Sequence, residues 1–304
     1  MPILEVTHLV KSYGSLRAVN DISFRVEEGQ FFAFLGPNGA GKSTTIHCIC
    51  TLLTPDAGSI RVAGSFVGKQ DDEVRRRIGI VFQESLLDQK LTVYENLKYR
   101  AAFYGLSGSR AKKRIDEVAS LLQIGDLLPH RYGKLSGGQR RRCDIARALI
   151  HTPRILFLDE PTTGLDPQTR ITVWEIIRSM QRTGLTVFLT THYMEESATA
   201  DYVCVMDHGG LVAGGTPAEL KRRYSSDTLR LEGASDAMSQ KLQAAGVKFV
   251  RDDRELKVPL PDSRAALPLL RMLEADIRSF EVVRGSMDDV FLGITGHAIR
   301  EDRP

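Results

Sequence analysis

The sequence predicts an α/β fold, with a buried parallel sheet, a smaller antiparallel β piece, a helical insertion and a small α+β appendage at the carboxy-terminal end. Three observations carry that prediction. The apolar run Phe31-Phe32-Ala33-Phe34-Leu35 breaks into Gly36-Pro37-Asn38-Gly39-Ala40-Gly41-Lys42-Ser43-Thr44, then into a helical pattern reaching about Leu53. Two further continuous apolar runs, 155–158 and 186–190, are of the type that a parallel sheet buries on both faces, with a helical pattern over 168–180 between them. From about Ser225 the pattern is mixed, strand-like at 228–231, 249–250 and 256–258 and helical near 237–245 and 264–273.

Residues 4–12 and 18–27 alternate apolar and polar side chains around a loop at 13–17, which predicts two antiparallel strands of a half-exposed sheet. Glu28-Gly29-Gln30 leads into the 31–35 strand. Thr54-Pro55-Asp56-Ala57-Gly58 is a turn, 59–62 a short strand, and 78–82 a strand that ends at Gln83. Between about 93 and 149 the period is helical, broken by glycine and proline, and reads as an insertion between strands. Strands at 202–206 and 211–213 and a helix at 217–224 close the larger region. The expected division is therefore a first domain over 1–224, with its helical subdomain at about 84–150, and an accessory domain over 225–304.

At 304 residues, 42% hydrophobic and 26% charged, the chain has the composition of an ordinary globular protein. No stretch approaches the ~18 apolar residues of a membrane span and the first residues lack a signal-peptide layout, so a cytosolic location is expected. Cys48, Cys50, Cys143 and Cys204 are scattered and read as small apolar residues, not metal ligands. The net charge is +3, and the basic clusters at 75–77, 112–114, 140–142 and 221–223 are short and dispersed. Each reads as a solvated face, and no nucleic acid partner is expected. His47, His130, His151, His208 and His297 carry no partner pattern.

Gly36, Gly41, Lys42 and Ser43 have the P-loop spacing, in which small residues let backbone N–H groups curl around a polyphosphate. The helix that follows aims its positive end at the same anion. Such a cradle needs a magnesium partner, normally an acid at the end of a buried strand, and Asp159 stands there. Glu160, beside it, is placed to take a proton from an attacking water. Leu135-Ser136-Gly137-Gly138-Gln139 opens a helix rich in arginine and alanine, a second anion-binding helix N-terminus.

LSGGQ, standing between the glycine loop and the strand that ends at Asp159, resembles the signature of ATP-binding cassette (ABC) ATPases. The rest of that family's pattern follows in order. Gln83 matches the Q-loop glutamine, Asp159 and Glu160 the Walker B pair, Gly164-Leu165-Asp166-Pro167 the D-loop and His192 the switch histidine, while Tyr13 stands where an aromatic stacks on adenine. The resemblance covers about 3–223 and implies a P-loop NTPase with a RecA-like core, an antiparallel β subdomain and a helical subdomain. It also implies a head-to-tail pair, a homodimer or a related cassette subunit, with two ATP molecules sandwiched. Asn38, Gly39, Ala40, Gly41, Lys42, Ser43 and Thr44 would then hold each nucleotide from one side, and Ser136, Gly137, Gly138, Gln139 and Asp166 from the other. Ser43, Gln83 and Asp159 would hold Mg²⁺, Glu160 would act as base, Gln83 would sense metal and nucleophile, and His192 would contact the γ-phosphate.

With no membrane span in the sequence, the resemblance implies a separate permease chain and a place on the cytoplasmic face of the membrane through it. Family members receive the permease's coupling helix just after the Q-loop, here 84–96, where Leu86 and Leu87 read as an exposed docking pair. The ending Ser286-Met287-Asp288-Asp289-Val290-Phe291-Leu292, followed by Thr295-Gly296, is similar to that of daunorubicin-resistance-type exporter ATPases. Export of a drug, lipid or other amphipathic substrate is the expectation. The alternative is a non-transport ABC ATPase acting on DNA or ribosomes, which would be marked by a long coiled-coil insertion or a second cassette.

Overall fold

The computed structural model describes residues 2–252 and 255–296, and His297 lies outside them. The chain divides into two compact units, Met1–Gly214 and Gly215–Pro304. The first opens with β1 (Pro2–Tyr13) and β2 (Leu16–Glu27), followed by β3 (Phe31–Leu35), α1 (Lys42–Ile49), β4 (Ala57–Val62), β5 (Ser65–Phe66), α2 (Asp71–Arg77) and β6 (Ile78–Val81). The alternation in β2 does what it predicts: Ile22, Phe24 and Val26 are buried while Ser23, Arg25 and Glu27 face out. These strands make an antiparallel sheet in the order β2-β1-β4-β5. Helix α1 stops at Ile49, short of the expected Leu53, because the chain turns through Thr51 at φ 63.

The insertion supplies α3 (Val93–Phe103), α4 (Gly108–Leu121) and α5 (Gly137–Leu149), and after it come β7 (Ile155–Asp159), α6 (Pro167–Arg182), β8 (Thr186–Thr191), α7 (Met194–Ser197), β9 (Tyr202–Asp207) and β10 (Gly210–Gly215). The central sheet runs β10-β9-β3-β8-β7-β6, parallel from β9 to β6. Every residue of β3, β7 and β8 is buried, as their unbroken apolar runs predict. Phe24 of β2 packs on Phe34 at 5.2 Å and Phe32 on Phe188 at 5.0 Å, an aromatic layer that joins the two sheets. Each such ring contributes about 2–3 kcal/mol by leaving water. The four cysteines are free and buried, Cys48, Cys50 and Cys204 in this core and Cys143 on α5. Burial pushes the thiols of Cys48 up to about 11 and of Cys143 and Cys204 up to about 12, and raises that of Cys50 well above the ordinary range.

Two expectations on the first unit are corrected. Leu87 is 8% exposed while Leu86 is 61% exposed, so the pair is split and only Leu86 offers an apolar surface. The arginine clusters are not simply solvated. Arg141 is buried, Arg140 donates to Leu135 O, Arg142 to Gln123 O, and Arg114 to Leu149 O at the end of α5. Carbonyls left over at helix ends attract these donors.

The second unit comprises α8 (Pro217–Tyr224), β11 (Asp227–Glu232), α9 (Asp236–Ala244), β12 (Val250–Arg251), β13 (Glu255–Leu260), α10 (Ala266–Leu273), β14 (Ser279–Val283) and α11 (Met287–Thr295). Its sheet is antiparallel in the order β12-β13-β11-β14. Leu229, Leu231, Leu256 and Val258 point from one face into a core with Met238, Leu242 and Leu273 of the two helices. Helix α8, expected to close the first domain, packs on α11 and so belongs to the second unit. Among the described residues no helix is long and apolar enough to cross a membrane.

Candidate nucleotide and catalytic site

Strands β3, β8 and β7 bring their carboxy-terminal ends to one place, where open α/β sheets bind ligands. Gly36 follows β3 directly with no room for a side chain: an added Cβ would lie 2.2 Å from Met206 O. Gly41 sits at φ 103 and its Cβ would lie 2.2 Å from Ala18 O. Gly39, at φ 79, faces open space, Asn38 is exposed, Thr44 is half-buried and Ala40 is packed inward. Lys42, 4% exposed, donates from Nζ to Gly36 O at 2.8 Å and Pro37 O at 3.0 Å. Burial pulls its pKa below the usual lysine value, against the opposing charges of Glu160 and Asp159.

Ser43 Oγ donates to Asp159 Oδ1 at 3.1 Å, and Thr190 Oγ1 donates to the same oxygen. A hydroxyl and a carboxylate side by side at the end of a buried strand are oxygen donors of the kind Mg²⁺ takes, and Ser43 and Asp159 would hold it.

Glu160 follows at φ 45, a left-handed conformation that costs a non-glycine residue about 1 kcal/mol or more. Its N–H donates to Thr190 O at 3.1 Å. The turn carries the carboxylate inward: Oε1 lies 3.3 Å from His192 Nδ1 and 3.6 Å from Lys42 Nζ, and Oε2 accepts from Thr163 Oγ1 at 3.3 Å. Burial alone would raise its pKa. The close approach of His192, the charge of Lys42 and the Thr163 hydroxyl outweigh burial and hold it below the ordinary glutamate value. The contact with His192 is an ion-pair distance without hydrogen-bond alignment, since Nδ1 makes no hydrogen bond.

The remaining expected residues form a second group. Ser136 caps α5, its hydroxyl accepting from Gln139 N at 3.3 Å while Gln139 Oε1 accepts from Ser136 N at 2.9 Å. Gly138 brings α5 against α6, since an added Cβ would lie 2.1 Å from Thr169 Cγ2. Gly137 packs more loosely, near Leu165. Asp166 caps α6, accepting from Thr169 N at 2.9 Å and from its hydroxyl at 2.6 Å, and these bonds lower its pKa. Gln83, two residues past β6, is exposed, and Tyr13 is 48% exposed at the β1–β2 hairpin.

Sequence reasoning missed two buried networks beside this site. Glu196, 4% exposed, accepts from Thr191 Oγ1 at 2.6 Å, from Trp174 Nε1 at 3.2 Å and from Thr162, tying the loop after β8 to the loop after β7. Burial raises its pKa despite these donors. Arg141 and Asp144 form the other, with Ser85 and Tyr132 on Asp144. One signal was readable: Arg141, Ile145 and Ala148 lie at helical spacing on a buried face of α5.

A glycine cradle with a buried lysine, a strand-end Asp-Glu pair and a histidine just past the neighbouring strand together describe a P-loop ATPase. The ABC transporter family matches residues 19–163, and the family of ATP-binding protein DrrA1-3-like carboxy-terminal domains matches 215–295. The daunorubicin/doxorubicin resistance ATP-binding protein DrrA of Streptomyces peucetius is 43% identical over 97% of this chain and 92% of its own length. The linearmycin resistance ATP-binding protein LnrL of Bacillus subtilis is 35% identical over 98% of this chain and all (100%) of its own. Among solved structures, cbiO1 of Clostridium perfringens, part of an ABC transporter complex, superposes with a TM-score of 0.67 at 32% identity, covering 72% of this chain and 90% of that one. The dimeric ATP-binding cassette MJ0796, bound to ADP and phosphate, gives 0.65 at 28% identity, covering 70% and 98%. The chain belongs to the ABC transporter family, as an ATP-binding and ATP-hydrolysing subunit.

Proposed function

We propose that this subunit hydrolyses Mg²⁺-ATP in a site shared head to tail with a second cassette, a copy of itself or a related subunit. Through a separate permease at the cytoplasmic face of the membrane, it drives export of a drug, lipid or other amphipathic substrate. The observation that carries the chemistry is Glu160, held ionised between Lys42 and His192 beside the Ser43–Asp159 pair.

In this reading Lys42 and the N–H groups from Gly39 to Thr44 take the phosphates of one nucleotide, Tyr13 stacks on its adenine, and Ser43 and Asp159, with Gln83, hold the metal. Bound there, Mg²⁺ neutralises charge that builds on the phosphate oxygens. Glu160 accepts the proton of the attacking water, and His192 steadies the γ-phosphate. From the partner, Ser136, Gly137, Gly138 and Gln139, with the positive end of α5, close over that phosphate, and Asp166 reaches the same interface. The drug-resistance names of the relatives support the direction and the substrate class.

Glu160→Gln tests the reading. The variant is expected to bind ATP, to accumulate as an ATP-bound dimer in size-exclusion chromatography with light scattering, and to lose ~10²- to 10⁴-fold in hydrolysis, as for a lost general base. Turnover close to that of the unaltered chain would remove Glu160 from the role.

A further inference from the structure

Arg141 lies one turn beyond the Ser136 cap, is 6% exposed, and uses three of its N–H groups on backbone carbonyls from two separate loops. Nη1 donates to Phe82 O at 2.6 Å, Nη2 to Glu160 O at 2.8 Å, and Nε to Pro161 O. A guanidinium offers these donors as a rigid planar fork, which a lysine cannot reproduce. Burial lowers its pKa and the charge of Asp144 opposes that. Asp144 is in turn held by Ser85 Oγ at 2.5 Å and by Tyr132 OH at 3.1 Å.

Two consequences follow for the site. Gln83 is straddled, with the residue before it tied to Arg141 and Ser85, two residues on, tied to Asp144. The left-handed Glu160 is clamped on both sides of its α-carbon, its N–H on Thr190 O and its carbonyl on Arg141.

We infer that Arg141 is a positioning residue for hydrolysis: it registers the helix that begins at Ser136 against the backbones of Gln83 and Glu160, and thereby aims the Glu160 carboxylate. The inference rests on the reading of Glu160 as the base. The full chain carrying Arg141→Lys, and separately Arg141→Gln, is the test, measured by steady-state hydrolysis and by titration with a fluorescent ATP analogue. Both variants are expected to bind the analogue within ~3-fold of the unaltered chain while kcat falls ~10- to 100-fold, the scale of a misplaced catalytic group.

In a Glu160→Gln background, Arg141→Lys should change the residual turnover by less than ~2-fold, because a group acting through Glu160 has nothing left to aim. An unchanged kcat, or the same factor lost in both backgrounds, overturns the inference. So does insolubility of both variants, which would assign Arg141 to the fold alone. Normal turnover of Glu160→Gln by itself would instead remove the reading beneath it.

Discussion

His151 stacks flat on Tyr104, with ring centres 3.9 Å apart, and its Nε2–H donates to Ile78 O at 2.8 Å. Burial lowers its pKa to about 4, with the charges of Arg100, Arg147 and Arg114 acting the same way and the Ile78 carbonyl against. The folded value lies below the unfolded one, so the neutral ring contributes stability that is complete above the unfolded pKa of ~6.5 and is lost as pH falls toward the folded value. His151→Phe keeps the stack and removes this dependence. Between pH ~7 and ~4.5, the unaltered chain is expected to lose on the order of 2 kcal/mol more than the variant in urea unfolding. Equal losses would show that this ring is not the sensitive group.

The same scale shows what could be read without coordinates. Lys42 and Ser43, which open α1 after the glycine loop, and Asp159, Glu160 and His192, at or just past the ends of β7 and β8, could be picked out as candidates because each stands in a short local pattern. Arg141 was only half legible: its spacing with Ile145 and Ala148 marks a helix face, but its three carbonyl partners lie 59, 20 and 19 residues away and a run of arginines reads as a solvated surface.

Helix α5 shows how an element serves two purposes. Its capping box stabilises the first turn, and Gly138 lets that turn close on α6. Ser136→Glu is expected to abolish ATP-dependent dimerisation, since a carboxylate would face the γ-phosphate across the interface. Ser136→Ala separates the charge from the loss of the hydroxyl: it loses the cap, at about 1 kcal/mol, and the hydroxyl's contact without adding charge, and should weaken dimerisation without abolishing it. A Ser136→Glu chain that dimerises with ATP in light scattering would rule out the cross-subunit site. Elements with strong periodicity were legible in kind, while their ends were decided by tertiary detail. Helix α1 ends early at a left-handed Thr51, and Leu87 turns inward while Leu86 does not.

Across the whole molecule, the division at Gly214 and Gly215 changes where the chain should be cut. Ending it at Gly215 keeps β10 whole and leaves no part of the second unit's packing behind. Ending it at Tyr224 strands α8 without α11 and uncovers Leu220, which is 2% exposed in the full chain. The shorter product is expected to be soluble and to bind ATP, and the longer one to be cleaved at 217–224 faster than the full chain is in limited proteolysis. Cleavage there no faster than in the full chain would place α8 with the cassette after all. The sequence pattern placed that boundary after 224 because a helical pattern at 217–224 does not say which core the helix joins.

The buried cysteines have a practical use. With thiols raised to about 11 or 12, or well above the ordinary range, and no exposed sulfur, the four native positions hold almost no thiolate at neutral pH. A cysteine introduced at a surface site such as Leu86 would then react with a maleimide dye against a silent background. Fluorescence from that one label could follow the face beside Gln83 through a catalytic cycle, without first stripping the chain of its own sulfur.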